Sequence, residues 1–190
     1  TYLVSIASYP YTVTTDHYRY SPTDSMPIQF FNFPETVAGV AAVQAKVKDM
    51  IAAFAGTFGE YPFLAEKYGH AQFLWSGGME HQTCTSLGGN AIIEYIVAHE
   101  LAHQWWGDLV TCRDFHHVWV NEGFATYCEA LWAESTGGAA GYHGDINLNK
   151  YFGAGTIYVP DLTDENRIFD SNLSYNKGSW VLHMLRRVLG

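Results

Sequence analysis

A short run of metal-ligand and acidic side chains, His99-Glu100-Leu101-Ala102-His103, constrains this chain more than any other feature. On a helix His99 and His103 lie four positions apart, so both imidazoles project from one face and can take two corners of a zinc tetrahedron. Glu100 lies about 100° further round the helix, where it can reach a metal-bound water without being a ligand. Glu122 is the natural third ligand. Three protein ligands leave one position open, which is typical of a catalytic zinc site.

The same residues allow a plainer interpretation. The chain holds nine histidines, so two of them on an aromatic-rich helix could be hydrogen-bonded packing residues. The surrounding pattern favours the metal site, because a helix predicted over residues 91–106 is amphipathic and a second, over residues 121–134, carries Glu122 in its first turn. The apolar positions of the first helix are Ile92, Ile93, Ile96, Val97, Leu101 and Trp105.

Composition narrows the class of protein. A chain of 190 residues with 48% hydrophobic and 15% charged residues is one ordinary globular domain, or most of one. The net charge of −9 and the lack of a basic patch argue against nucleic acid as a partner. No stretch of about eighteen apolar residues occurs, so no transmembrane helix is predicted.

The start of the chain and its cysteines say little about the compartment. Thr1 follows no initiator Met and no signal peptide is visible, so we expect a cut inside a longer protein. The few lysines and many aromatic residues favour a secreted or cell-envelope protein, and the compartment stays open. Cys84, Cys112 and Cys128 have no C-x-x-C spacing, so we expect buried free thiols, with at most one internal disulfide.

The order of predicted elements indicates the fold class. Residues 1–34, including an alternating run at 2–6, predict strands and turns punctuated by prolines. Helical spacing follows over residues 35–55, with Gly56 just past the end, and Ala71 to Trp75 predicts a short buried strand. Asn90 is the predicted N-cap of the histidine helix. The remaining predictions are a loop over 108–118, a helix ending at 137–138, helices over 141–152 and 175–189, and irregular structure over 153–172.

Strands followed by helices predict an α+β fold rather than alternating βαβ units. We expect one catalytic domain over residues 1–190, β-rich over 1–34 and mainly helical, with the zinc site, over 35–190. The final predicted helix keeps its apolar face up to Gly190. The domain is therefore expected to be C-terminally truncated.

Four collinear segments resemble the catalytic domain of the aminopeptidase N family of zinc metallopeptidases, the gluzincin relatives of leukotriene hydrolase. Gly77-Gly78-Met79-Glu80 resembles the family's G-x-M-E-N exopeptidase loop. Residues 99–111 resemble its zinc-helix signature, residues 119–125 the segment of the third ligand, and residues 175–186 the segment of its catalytic tyrosine. The resemblance implies a thermolysin-like fold, with a small mixed β-sheet packed on a mostly helical lobe.

The resemblance also implies a role for each motif residue. His99, His103 and Glu122 would bind one zinc ion per chain, and Glu100 would be the general base. These roles agree with the chemistry, since zinc lowers the pKa of its water and a nearby carboxylate can accept the proton.

Two further roles concern the substrate. Tyr175 would donate a hydrogen bond to the oxyanion that forms from the scissile carbonyl; the plainer alternative is one packing tyrosine among thirteen. Glu80 would bind the substrate's free α-amine, in a loop where Gly77, Gly78 and Met79 also contact the substrate.

The chain departs from the family pattern at several positions. His81 stands where the family usually has Asn, and Asp108 where it more often has Asn. His116 and His117 are extra imidazoles near the third ligand, which we interpret as loop or packing residues because Glu122 completes the ligand set. The family's amino-terminal β-domain and its helical domain are absent from the chain, so further domains of the parent protein are expected partners.

Three functions follow as hypotheses. The leading one is a zinc aminopeptidase that acts on peptides with a free amino terminus. The alternatives are a thermolysin-type endopeptidase and a non-catalytic zinc- or peptide-binding module, while leukotriene-type epoxide hydrolysis stays open. Glu80 favours the first, because an internal or blocked peptide would leave that carboxylate desolvated without a cationic partner.

Overall fold

The computed structural model describes residues 4–190, and the chain divides into two compact units, Thr1–Gln104 and Trp105–Gly190. The alternating run predicted as a strand at residues 2–6 lies partly outside the described residues. Its described part, from residue 4, has no regular structure and is exposed up to residue 10. The strand prediction at 4–6 is therefore wrong, since no neighbouring strand pairs with this segment.

The first unit is built on a five-stranded mixed sheet. The strands are β1 (Thr12–Arg19), β2 (Ser25–Asn32), β3 (Tyr68–Phe73), β4 (Gly78–Met79) and β5 (Thr85–Gly88). They lie in the order β1-β2-β3-β5-β4. The outer pairs, β1 with β2 and β4 with β5, are antiparallel, whereas β3 runs parallel to both β2 and β5.

Side-chain alternation explains β2, whose buried positions recur every second residue at Met26, Ile28 and Phe30. The strand predicted at 71–75 is β3, but it begins earlier and ends at Phe73, because the chain leaves the sheet before the exposed Leu74. Strands β4 and β5 carry little apolar periodicity and were not predicted. They form because β5 pairs with β3, a contact between segments that are not adjacent in the sequence.

Two helices replace the single helix predicted over residues 35–55. These are α1 (Val37–Gln44) and α2 (Val47–Phe58), separated by a turn in which the Lys46 amide donates to the carbonyl of Val43. Helix α2 runs past Gly56 and ends at Gly59, whose φ of 94° suits a residue without a Cβ. Its buried side chains are Val47, Met50, Ile51 and Phe54.

The histidine helix α3 (Glu94–Ala102) is shorter than the predicted range of 91–106. Its N-cap is the extended Ile93, not Asn90, which lies in a turn before the buried Ala91 and Ile92. At the other end, Gln104 donates its amide to Leu101, a tighter turn than an α-helix makes. Both ends of this helix were predicted wrongly, because the burial of the flanking residues, rather than the local sequence pattern, determines where it begins and ends.

The regular elements of the second unit are helices, joined by irregular segments. A 3₁₀ turn (Phe115–His117) in the predicted loop precedes α4 (Trp119–Leu148), which is interrupted at Gly138 with φ 60° and ψ −155°. The predicted break at 137–138 is thus confirmed, although the helix after it ends at Leu148 rather than Phe152. The other elements are α5 (Glu165–Ile168), a π-helical turn (Ser171–Lys177) and α6 (Gly178–Leu189).

Apolar packing joins α4 to α6 within this unit. One core cluster contains Tyr127, Tyr142 and Leu182, and the Trp180 indole donates to the carbonyl of Ile146 at 2.9 Å. At the surface the Arg186 guanidinium makes a two-pronged ion pair with Glu134, each contact 2.8 Å.

The α+β class with a small mixed sheet is therefore confirmed. Strands β3, β4 and β5 lie after residue 34, so the β structure is not confined to the start of the chain. Among the described residues, no helix has both the length and the apolar character needed to cross a bilayer.

Candidate active site

His99 and His103 face each other at the end of α3. His99 lies in the helix, and His103 follows its last residue with helical dihedrals of φ −59° and ψ −22°, so the four-residue spacing is preserved. Their Nε2 atoms are 3.2 Å apart and the ring planes are inclined by 76°. His103 is buried at 1% exposure, while His99 is half-buried.

This geometry fits a tetrahedral metal ion. Zinc–nitrogen bonds of about 2.0–2.1 Å at a tetrahedral angle place two ligand nitrogens roughly 3.3 Å apart. The observed Nε2 separation is 3.2 Å. The separation of the two nitrogens therefore matches that of two ligands of one tetrahedral ion.

Glu100 lies beside the loop that contains the glycine pair. A Cβ built on Gly78 would lie 2.3 Å from Glu100 Oε1 and 2.6 Å from its Cγ. A side chain at position 78 would therefore force the Glu100 side chain to move. Gly77 adopts φ 99°, so this position favours glycine because of its backbone conformation.

Two buried carboxylates and one imidazole converge here. Glu80, Glu100 and His103 each offer one ligand atom, and these atoms lie within 4.8 Å of one another. Glu80 and Glu100 are each 7% exposed. Like charges this close destabilise each other unless a cation or a proton is shared. The first unit thus brings together the predicted site residues His99, Glu100, His103, Gly78 and Glu80, and Met79 lies half-buried in β4 beside Gly78.

Glu122 and the segment of Tyr175 belong to the second unit. Glu122 lies in the first turn of α4, is 6% exposed, and donates its amide to Val118. A Cβ on Gly123 would lie 2.9 Å from the Cα of Gly178, so the backbones of α4 and α6 are nearly in contact. This approach brings the segments of Glu122 and Tyr175 side by side.

Tyr175 does not begin an α-helix as predicted. It lies half-buried in the π-helical turn that precedes α6. The side chain of Asp170 caps this turn by accepting the amides of Asn172 and Leu173, each at 2.9 Å. π-helical turns are rare and are frequent at functional sites.

The remaining candidates take structural positions. The His116 ring stacks on Tyr158 with centroids 5.2 Å apart, its Nδ1 is 2.5 Å from the carbonyl oxygen of Val159, and the His117 ring packs edge-on against Tyr158. His116 and His117 are thus loop and packing residues, as predicted. Cys84, Cys112 and Cys128 are free thiols as predicted, but only Cys128 is fully buried, and the other two are half-buried. Desolvation raises the pKa of each thiol.

His81, the departure from the family motif, lines a cavity of about 360 Å³ with Tyr11 and Cys84. Its Nδ1 is 2.8 Å from the hydroxyl of Ser86. Burial lowers the pKa of His81, so the ring is predominantly neutral at neutral pH.

The family model described as "Peptidase family M1 domain" matches residues 78–190. The chain belongs to peptidase family M1. The predicted resemblance is confirmed, and the match includes the motif residues from Gly78 to the end of α6.

Relatives and solved structures of this family extend the comparison. Aminopeptidase Ey of Gallus gallus is 34% identical in an alignment 137 positions long that covers 63% of the chain, and aminopeptidase N of Canis lupus familiaris is 32% identical in one of 140 positions that covers 65%. The crystal structure of an M1 zinc metallopeptidase from Deinococcus radiodurans is 31% identical, covers 95% of the chain and superposes with a TM-score of 0.79. The chain spans 14% of each relative and 41% of the solved chain.

Sequence reasoning missed the residues that hold the Glu80 loop. Gln104 accepts the Thr83 amide and Lys67 donates to the Thr83 carbonyl, while the Tyr61 hydroxyl donates to Gln104. Thr83 is the one non-glycine residue with positive φ in the described chain. No local pattern in the sequence indicates this contact, although Gln104 directly follows a candidate zinc ligand.

Proposed function

We propose that the protein is a zinc-dependent aminopeptidase. The observation that carries this proposal is the convergence of Glu80, Glu100 and His103 within 4.8 Å, beside a pair of imidazole nitrogens spaced for one tetrahedral ion. A site with two buried carboxylates needs positive charge, and a metal ion together with a substrate ammonium supplies it.

His99, His103 and Glu122 are the proposed ligands, with one zinc ion per chain. Nitrogen and carboxylate donors are the set that zinc takes in catalytic sites. When bound, zinc supplies Lewis-acid chemistry that acidifies water and polarises the scissile carbonyl. The matched relatives are named aminopeptidases, and the solved structure is named a zinc metallopeptidase.

Glu100 is the proposed general base. It accepts a proton from the attacking water and returns that proton to the leaving amine, which is the ordinary use of a carboxylate fixed near the reacting atoms. Its position on α3, beside the imidazoles but on another face, suits this exchange. The backbone at Gly78 lies close to this carboxyl group, since a Cβ built there would be 2.5 Å from its Cδ.

Tyr175 is the proposed oxyanion donor. Its phenol hydroxyl donates a hydrogen bond to the oxygen that becomes negative as the carbonyl carbon turns tetrahedral. The π-helical turn and the close approach of Gly123 to Gly178 fix the backbone on both sides of it.

Glu80 separates aminopeptidase action from endopeptidase action. A carboxylate in a partly dehydrated loop pairs with the α-ammonium of a peptide and so places the first peptide bond at the reacting groups. Gly77, Gly78 and Met79 form the backbone beside it, and the absent Cβ atoms let substrate approach closely. The proposed substrates are therefore peptides with a free amino terminus, and the proposed partners are further domains of the parent protein.

The test compares matched peptides that differ only in N-acetylation, with metal analysis of each preparation. Wild type should bind about one zinc per chain and favour free-amine peptides. Glu80→Gln should lower kcat/KM for these peptides by roughly ten- to a hundredfold, the value of a charge-assisted contact, and leave cleavage of acetylated peptides unchanged. Glu66→Gln, at an exposed carboxylate of the same unit, is the control. Equal rates on both peptides in wild type would favour the endopeptidase alternative.

A further inference from the structure

Thr83 has an unfavourable backbone conformation in the loop that carries Glu80. Its φ is 62°, a value that β-branched residues rarely adopt because the side chain crowds the backbone. The residue is also buried, at 7% exposure. Such conformations persist only where the surroundings enforce them, and they concentrate at functional sites.

Two side chains hold the Thr83 backbone from opposite ends. The Thr83 amide donates to Gln104 Oε1 at 2.8 Å, and Lys67 Nζ donates to the Thr83 carbonyl at 2.9 Å. The Tyr61 hydroxyl lies 3.1 Å from the same Gln104 oxygen and 3.2 Å from the Lys67 carbonyl. Gln104 is fully buried, so its oxygen has no water with which to replace these donors.

The hydrogen bonds of Thr83 fix the turn that follows Glu80. The amide of Cys84 donates to the carbonyl of His81 at 3.1 Å, which makes a four-residue turn with Thr83 in its third position. Positive φ at that position defines the direction in which the chain enters and leaves the turn. Since Glu80 immediately precedes the turn, the orientation of its backbone depends on the Thr83 conformation.

The same contacts tie this turn to the histidine helix. Gln104 follows His103 directly in the chain, and His103 offers a ligand atom within 4.8 Å of one from Glu80. A hydrogen bond from Gln104 to Thr83 therefore restricts the distance between the Glu80 carboxylate and the His103 imidazole.

We propose that Gln104 and Lys67 are positioning residues that set the Glu80 carboxylate at the distance from His103 which selects peptides with a free amino terminus. The proposal rests on the proposed function, in which Glu80 binds the substrate ammonium. Neither residue touches substrate. Both act through the backbone of Thr83, and their loss should change substrate preference rather than the chemical step.

The experiment measures the ratio of kcat/KM for a free-amine peptide to that for its N-acetylated match in the zinc-loaded protein. Gln104→Met removes the acceptor oxygen at similar volume and should lower this ratio about tenfold, a partial loss of the charge-assisted contact. Zinc content should stay at the wild-type value. Lys67→Met should lower the ratio in the same direction, and it decides the question if Gln104→Met does not fold.

Gln72→Met is the matched control. Gln72 is also fully buried in the first unit, and its Oε1 accepts hydrogen bonds from the Phe33 amide and the Thr36 hydroxyl. This variant removes an equivalent amide away from the Glu80 loop, so its ratio should equal that of wild type.

Three results would overturn the proposal. The first is a wild type that prefers free-amine peptides together with a Gln104→Met variant whose ratio is unchanged. If only Lys67→Met folds, an unchanged ratio in that variant counts in the same way. A second is an equal fall of the ratio in Gln72→Met, which would indicate general loosening of the unit. A third is a wild type without preference for free amines, and only this result also overturns the proposed function.

Discussion

We expect His70 to make the first unit less stable in acid. It lies in β3 with no exposed surface, its ring packs against Tyr68 and Phe30, and neither ring nitrogen has a hydrogen-bond partner among the described residues. Burial lowers the pKa of His70 from 6.5 to about 3. The folded protein therefore keeps a neutral imidazole at a pH where the unfolded chain binds a proton.

The sign and the size of the effect follow from proton linkage. Because the unfolded state binds more protons between pH 6.5 and about 3, the free energy of unfolding falls as the pH falls through that window and levels off below it. Each pKa unit is worth about 1.4 kcal/mol. The buried His70 should therefore make the free energy of unfolding about 2 kcal/mol lower at pH 5 than at pH 8.

His70→Phe keeps an aromatic ring in the same place and removes the titration. Urea denaturation followed by circular dichroism, at pH 8 and pH 5, gives the pH-dependent change in unfolding free energy for each protein. This change should be smaller by about 2 kcal/mol in His70→Phe than in wild type, because all other groups titrate in both. His143→Phe, at an exposed histidine, should match wild type. Equal pH dependence in wild type and His70→Phe would refute the reasoning.

Three further predictions concern the proposed chemistry and its framework. Glu100→Gln should retain zinc by metal analysis and lose turnover by roughly 10²–10⁴-fold, since the amide cannot accept a proton; near-wild-type turnover with zinc bound would remove Glu100 from the mechanism. Tyr175→Phe should lower kcat by about 10²–10³-fold with little change in KM in steady-state kinetics, because the hydroxyl acts on the transition state; a raised KM at constant kcat would make it a binding residue. Gly123→Ala should destabilise the chain by about 1–3 kcal/mol in urea denaturation, since the new Cβ would lie 2.9 Å from Gly178. Gly144→Ala, where a Cβ meets nothing within 4 Å, should not destabilise it, and an equal loss at both positions would contradict the packing argument.

The sequence by itself determined the local part of the candidate site. Four-residue spacing places His99 and His103 on one helix face whatever the rest of the chain does, because helix geometry is set by hydrogen bonds between near neighbours. The break near Gly138 was predictable for the same reason, since a residue without a Cβ readily adopts positive φ. The α+β class also followed from local patterns of strands and helices.

Only the tertiary structure decided the contacts between distant segments. The hydrogen bond between Thr83 and Gln104 joins residues 21 positions apart, and that between Tyr61 and Gln104 joins residues 43 apart. Strand β5, the burial of His70 and the approach of Gly123 to Gly178 likewise depend on which surfaces pack together. Packing energy is shared among many residues at once, so no short pattern in the sequence encodes it. The sequence therefore indicates which groups perform the proposed chemistry, while tertiary packing sets where the Glu80 carboxylate lies.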